Sequence, residues 1–166
     1  MTQTPTLEIV HLVPTLREAL CNLFAEIERN GDSVFFHPHP FSVLEAEHLC
    51  NHVGKDCYYA ILRSSRILGY GMLRGWDAGY AVPSLGIYIR REARGKGLGK
   101  LLMLHLHTAA LISGAERVRL KVHFKNEVAR RLYEKLGYTF QVSEGEHMVG
   151  FCYLCPTGSF QFPSEH

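Results

Sequence analysis

Arg94, Gly97 and Gly99 stand at a spacing suited to holding a phosphate. They lie in the turn Arg94-Gly95-Lys96-Gly97-Leu98-Gly99-Lys100, which follows the apolar run Leu85-Gly86-Ile87-Tyr88-Ile89. Glycines keep side chains away from the backbone, and the first N–H groups of a helix opening near Gly97 would point outward at an anion. Arg94, Lys96 and Lys100 add formal charge. Two common phosphate motifs are excluded. A dinucleotide fingerprint G-x-G-x-x-G fails because Lys100 stands where the third glycine belongs, and a P-loop fails because Leu101 follows Gly99-Lys100 and Arg94 replaces the first glycine.

A second constellation lies downstream, Asn126-Glu127-Val128-Ala129-Arg130-Arg131-Leu132-Tyr133-Glu134-Lys135-Leu136-Gly137-Tyr138. Asn126 suits an N-cap and Gly137 a C′ position, so the spacing predicts a helix bounded at both ends. Val128, Leu132 and Leu136 form one stripe, read as core. Asn126, Ala129 and Tyr133 form a neighbouring stripe that places a small residue between an amide and a phenol, as a slender ligand arm requires. Taken alone, Tyr133 reads as a boundary tyrosine with a wet hydroxyl; together with the glycine turn it reads as part of the ligand face.

The first block resembles the R/Q-x-x-G-x-G/A pyrophosphate loop of the GCN5-related N-acetyltransferases (GNAT), and the second their N-x-x-A-x-x-L-Y-x-x-x-G-F/Y helix. The resemblance covers most of residues 7 to 155. It implies an α/β (α+β) fold: a single GNAT-like domain whose mixed, mostly antiparallel twisted sheet has about seven strands flanked by four helices, in the order β-α-α-β-β-β-α-β-α-β-β. It implies acetyl-CoA as the coenzyme, lying between the strand that ends at Ile89 and the strand after it. Backbone groups near Ile87 and Ile89 would meet the pantetheine arm, and a main-chain N–H there would stabilise the oxyanion. The amides from Gly95 through Lys96, Gly97, Leu98 and Gly99 to Lys100 would take the pyrophosphate, with Arg94 beside it. Asn126 would touch the pantetheine along the Ala129 stripe, and Arg130 is placed to meet a phosphate. Tyr133 falls where the family's tyrosine acts as general acid on the departing thiolate; its ordinary pKa of about 10 lies above a thiol's ~8.5, so it keeps a proton to donate.

The proton acceptor is less legible. Members acting on protein N-termini often carry a glutamate where this chain has Lys121. His123, one pleat further on the same strand face, is a possible base, as are His37, His39 and Asp77 on flanking loops; each also reads as a solvated or structural residue. The loop 35–41 with His37 and His39, and the loop Trp76-Asp77-Ala78-Gly79-Tyr80, would wall an acceptor cleft, with Trp76 and Tyr80 able to stack on a sugar or a cation. That favours direct transfer to the primary amine of a small molecule, such as an amino sugar, amino acid or polyamine. Transfer to a protein N-terminus or lysine is the alternative within the family, and a non-catalytic acyl-CoA sensor the alternative outside enzymes.

The elements that position these residues follow from periodicity. Leu7 to Leu12 alternates as a strand. Thr15 with Glu18, and Ser42 with Glu45, read as capping boxes for two helices, the first carrying Leu16, Leu20, Leu23, Phe24 and Ile27 on one face and ending at Asn30-Gly31-Asp32. Residues 57–63 and 66–74 read as a hairpin about Ser64-Ser65, with Gly69 and Gly71 marking a bulge or tight packing. Strands at 84–89, 117–123, 138–142 and 148–154 and a helix from the anion turn to about residue 113 complete the 1–155 domain; 156–166 reads as a loose tail.

With 166 residues the chain can bury a core without staples, and a net charge of +2 with 20% charged residues speaks against a nucleic-acid binder. The first nine residues lack a basic start followed by an apolar run. The apolar stretch 101–112 is interrupted by His105 and His107 and is too short to span a bilayer, so a cytoplasmic monomer or homodimer without membrane or metal partners is expected. His105 shares the stripe of Leu98, Leu101, Leu102 and Ala109 and reads as a hydrogen-bonded core residue. Cysteines at 21, 50, 57, 152 and 155 are odd in number, and the lone Cys152-x-x-Cys155 reads as packing.

Overall fold

The computed structural model describes residues 6–154, apart from the side chain of Val142. Cys155 and the 156–166 tail lie outside the described residues. Strand β1 (Leu7–His11) leads through a 3-10 turn (Pro14–Leu16) into helix α1 (Arg17–Asn30), and a second such turn (Asp32–Val34) precedes α2 (Val43–Cys50). Next come β2 (Cys57–Arg63), β3 (Arg66–Arg74), β4 (Ser84–Ile89), a 3-10 turn (Arg91–Ala93) and α3 (Leu98–Ile112). Then β5 (Arg117–His123), α4 (Glu127–Lys135), β6 (Thr139–Glu144) and β7 (His147–Tyr153) follow. This is the expected order. The strands form one sheet, β1-β2-β3-β4-β5-β7-β6, antiparallel everywhere except between β4 and β5.

Helices cover both faces of the sheet. Leu20, Leu23, Phe24 and Ile27 of α1 and Ala46 and Leu49 of α2 pack on Ala60, Tyr70, Met72 and Tyr88. On the opposite face Leu102, Met103, Leu106 and Ala110 of α3 pack with Leu85, Val118, Leu120, Val122 and Tyr133. The pleat of β5 therefore sends Val118, Leu120 and Val122 into one core and leaves Lys121 and His123 on the other side. Ser64 and Ser65 turn the hairpin at φ 49° and 65°, the mirror-image geometry that matches strand twist. At Gly69 a Cβ would lie 2.9 Å from Ile61 Cδ1 and Ile89 Cδ1, and the register slips beside Ile61. The glycine marks a bulge and a close approach together.

Three local expectations are corrected. Thr15 does not cap α1: it sits inside the turn begun by Pro14, while Leu16 occupies the N-cap without a side-chain bond. Ser42 does cap α2, accepting from Glu45 N at 3.0 Å. On α4, Val128 is 83% exposed, and the inward stripe is Ala129, Leu132, Tyr133 and Leu136, the i, i+3, i+4, i+7 set. The expected hydrogen bond of His105 is not found: its Nε2 is buried with no partner among the described residues, and its ring stands edge-on to Tyr59 at 4.6 Å. Burial lowers its pKa. No helix among the described residues is long and apolar enough to cross a membrane.

Candidate coenzyme and acceptor site

Strands β4 and β5 pair only where Ser84 meets Arg119, with Arg119 N donating to Pro83 O at 3.0 Å. Beyond that point they diverge, so Gly86 to Ile89 and Lys121 to His123 face each other with no ladder between them. β4 keeps its bonds to β3 on the other edge, where Ile87 opposes Gly71 and Ile89 opposes Gly69. One edge of β4 is thus a row of backbone donors and acceptors open to an extended amide-bearing arm.

The turn after β4 closes one end of this gap. Gly95 and Gly97 have φ of 74° and 84°, and a Cβ at either would meet nothing within 4 Å. They are glycines for their backbone angle and for the open space beside them. Gly97 caps α3, whose first turn holds no acidic residue, so the orphan N–H groups of Leu98, Gly99 and Lys100 keep their positive end uncompensated. Gly99 does something else: its φ is ordinary, but a Cβ would approach Leu132 Cδ2 to 3.3 Å, so it lets α3 pack against α4. Lys100 is exposed, and the Lys96 ammonium donates to Glu92 O at 3.1 Å.

Arg94 is turned back from the open space. Its Nε donates to Ile89 O at 2.9 Å, its guanidinium lies 5.4 Å from the Tyr88 ring centre, and Nη2 reaches Asp32 Oδ2 at 3.4 Å. Asp32, only 7% exposed, is a residue the sequence reading did not single out. It accepts from Tyr88 Oη at 2.7 Å and takes Arg91 in a fork, Nη2 at 2.6 Å and Nε at 3.1 Å. Burial opposes its ionisation, but the Arg91 and Tyr88 hydrogen bonds and the Arg94 and Arg91 charges prevail and hold its pKa low. The turn after α1 is thereby tied, through Arg91 and Arg94, to the glycine turn that opens α3. The signal in the sequence was only Asn30-Gly31-Asp32, which reads as a helix stop.

On the far side of the gap, Asn126 caps α4, its Oδ1 accepting from Ala129 N at 3.3 Å. Tyr133 is buried, its ring 5.7 Å from that of Tyr138, and its hydroxyl has no hydrogen bond to a described residue. Burial pushes its pKa up to about 12. Arg130 contacts Glu134 on its own helix at 3.5 Å. Ala129 and Leu132 are partly buried beside the α3 cluster.

The residues expected around the acceptor separate. His39 is a core group: Nδ1 lies 2.8 Å from Pro40 O, which can only accept, so Nδ1 carries the hydrogen and Nε2 accepts from Tyr70 Oη at 3.0 Å. Burial lowers its pKa. Asp77 is a loop tie, accepting from Lys55 N at 2.7 Å and lying 3.1 Å from His52 Nε2; the Lys55 amide bond leads the causes that lower its pKa. Trp76 packs against the α3 core, whereas Tyr80 is 68% exposed. His37 is exposed, edge-on to Phe41 at 5.6 Å. Lys121 pairs with Glu144.

His123 is brought to the gap but arrives engaged. Its Nδ1 accepts from Lys125 N at 3.1 Å, which fixes the neutral ring with hydrogen on Nε2, 3.5 Å from Glu146 Oε2. Its ring touches Phe35 at 5.2 Å, Phe124 at 4.9 Å and His147 at 5.4 Å. Phe35 thus reaches the β5 side of the gap while its neighbour Phe36 lies on Tyr88 of β4, so the loop after α1 spans the opening. Glu146 and His147 are brought there by pairing across β5 and β7, with His123 opposite His147, and Phe35 by the loop after α1. Among the described residues, no group of His, Cys, Asp and Glu is arranged to hold a metal.

Comparison with known proteins agrees with this geometry. A family model described as Acetyltransferase (GNAT) family matches residues 17–138. A protein described as an uncharacterized N-acetyltransferase of Bacillus subtilis is 40% identical over 78 residues, 41% of this chain and 48% of its own length. One described likewise from Methanocaldococcus jannaschii is 28% identical over 85 residues, 50% of this chain and 53% of its own. The chain spans about half the length of the curated relatives it matches. The solved PaiA N-acetyltransferase from Thermoplasma acidophilum, in complex with coenzyme A, superposes with a TM-score of 0.72 at 20% identity, covering 89% of this chain and 99% of that one.

Proposed function

The chain belongs to the GNAT acetyltransferase family, and from that premise we propose that it is an acetyl-CoA-dependent N-acetyltransferase that passes the acetyl group directly to a primary amine of a small molecule. The observation that carries this is the divergence of β4 and β5 above a turn of two positive-φ glycines and the bare N-terminus of α3. These features fit the coenzyme: an open backbone edge for the pantetheine amides and an uncluttered set of N–H groups for the pyrophosphate. When bound, acetyl-CoA supplies the thioester carbonyl that the amine attacks.

The chain's own groups then have distinct tasks. Amides at Gly95 to Lys100 hold the pyrophosphate, with Lys100 adding charge. Arg94 joins them by rotating from its weakest contact, the 3.4 Å one to Asp32. A main-chain N–H of β4 facing the gap donates to the carbonyl oxygen as negative charge develops there. Asn126 orients the pantetheine from the head of α4, beside Ala129. Tyr133, held protonated by a pKa of about 12, donates its hydroxyl hydrogen to the departing sulfur. Because a thiol's pKa is ~8.5, the phenol stabilises the thiolate chiefly as a hydrogen-bond donor rather than by full proton transfer. His123 can take a proton from the amine only by giving up its Lys125 bond, with Glu146 beside Nε2 to stabilise the imidazolium.

Tyr133→Phe tests the reading. It keeps the ring's packing, so coenzyme affinity should be unchanged while turnover on the amine identified from a panel falls by roughly 10². Undiminished turnover would remove the role of Tyr133; tight coenzyme binding with no amine acetylated would favour a sensor.

A further inference from the structure

On the α1 side of the sheet, an open groove of about 470 Å³ lies between α1 and the β2–β3 turn, with Arg90 reaching it from the end of β4. Its wall on the helix is built from the small residues Ala19 and Ala25 with Asn22, Glu26 and Arg29; Ser64, Ser65 and Arg66 form the opposite rim, and Arg90 lines it from below.

Two of its three arginines are paired with carboxylates and one is not. Arg90 has a side chain only 4% exposed, with Nε donating to Ile67 O at 2.9 Å and Nη1 paired with Glu26, while Nη2 has no hydrogen bond to a described residue. Arg66 pairs with Glu92, but both side chains are about half exposed, and such pairs contribute little and exchange readily. Arg29 is exposed and pairs with no carboxylate among the described residues. Three guanidinium groups therefore line the groove: Arg90 is offset by Glu26, Arg66 by the half-exposed Glu92 beside it, and Arg29 by no carboxylate among the described residues. The rim adds a second signal. Among the described residues, Ser64 and Ser65 are the non-glycine positions with positive φ, a turn that glycine or asparagine fills at lower cost. Serine there keeps two hydroxyls at the edge of the groove.

We propose that this groove is a binding site for a small polyanion, a phosphorylated or polycarboxylate metabolite. Guanidinium forks from Arg29 and Arg66 would grip it against the buried Arg90, and Asn22, Ser64 and Ser65 would donate to its oxygens. None of its lining residues belongs to the 94–100 turn, and the proposal does not depend on the acetyltransferase reading.

Isothermal titration of the full chain, first saturated with coenzyme A so that the Gly95–Lys100 turn is filled, with pyrophosphate in one arm and citrate in the other, tests it. A saturable isotherm is expected in at least one arm, and which arm responds distinguishes phosphate from carboxylate recognition. The double variant Arg29→Ala with Arg66→Ala, both exposed positions, should weaken that binding by about tenfold or more while leaving coenzyme affinity unchanged. Gly97→Val should do the reverse. No saturable binding of either probe, loss of binding once coenzyme A is present, or equal isotherms in the parent and the double variant would each overturn the proposal.

Discussion

Two segments reach the opening between β4 and β5 from opposite sides, and they are built on different principles. The 94–100 turn is made by backbone: Gly95 and Gly97 at positive φ with open space around them, and helix N–H groups pointing outward. The 31–41 loop is made by side chains that bury themselves elsewhere. Asp32 binds Tyr88, Arg91 and Arg94, His39 binds Tyr70, and Phe36 lies on Tyr88. Local chemistry holds the first in shape; long-range partners hold the second. A site can thus be half rigid by geometry and half rigid by burial, and the halves should fail differently.

The largest expected effect comes from the backbone half. Gly97→Val should lower coenzyme affinity by roughly 10² or more, since a branched side chain resists positive φ and occupies the space beside the N–H groups. The fold should survive because that Cβ meets nothing within 4 Å. Calorimetry and a melting curve measure both. If affinity were retained, the phosphate would not be held by this turn.

Asp32→Ala probes the side-chain half. It should destabilise the protein by about 3 kcal/mol, because it strips a buried Tyr88 hydroxyl and the Arg91 fork of their shared partner. Hydrogen exchange should rise across 31–41 while the amides of 95–100 change little. If exchange rose equally in both, the two segments would form one unit and the contrast would be wrong.

The smallest effect is a pH slope. Burial lowers the folded pKa of His39, so the unfolded chain binds its proton first; stability is complete above the unfolded value of ~6.5 and falls as pH drops from there toward the folded value. His39→Gln should flatten melting temperature against pH in that window by at most one proton's worth, ~1.4 kcal/mol per pH unit. Some slope should remain, since burial also lowers His105 and His107. An unchanged slope would mean that His39 is not held neutral by the core.

Local spacing settled the order of elements, the glycine turn that opens α3, the Asn126 cap and the Ser64-Ser65 hairpin. Each of these depends on residues within a few positions of one another: a glycine's φ, a cap's reach of three residues, the alternation of a strand. It misjudged the start of α1, where Pro14 set the turn before Thr15, and the face of α4, where two stripes competed and only packing against α3 chose Ala129, Leu132, Tyr133 and Leu136. Tertiary structure alone decided that Asp32 joins the two loops, that His39 and Asp77 are spent on internal hydrogen bonds, and that Phe35, Glu146 and His147 gather around His123. A side chain's partner in these cases lies tens of residues away and is fixed by sheet register and helix docking, and no local spacing carries that information.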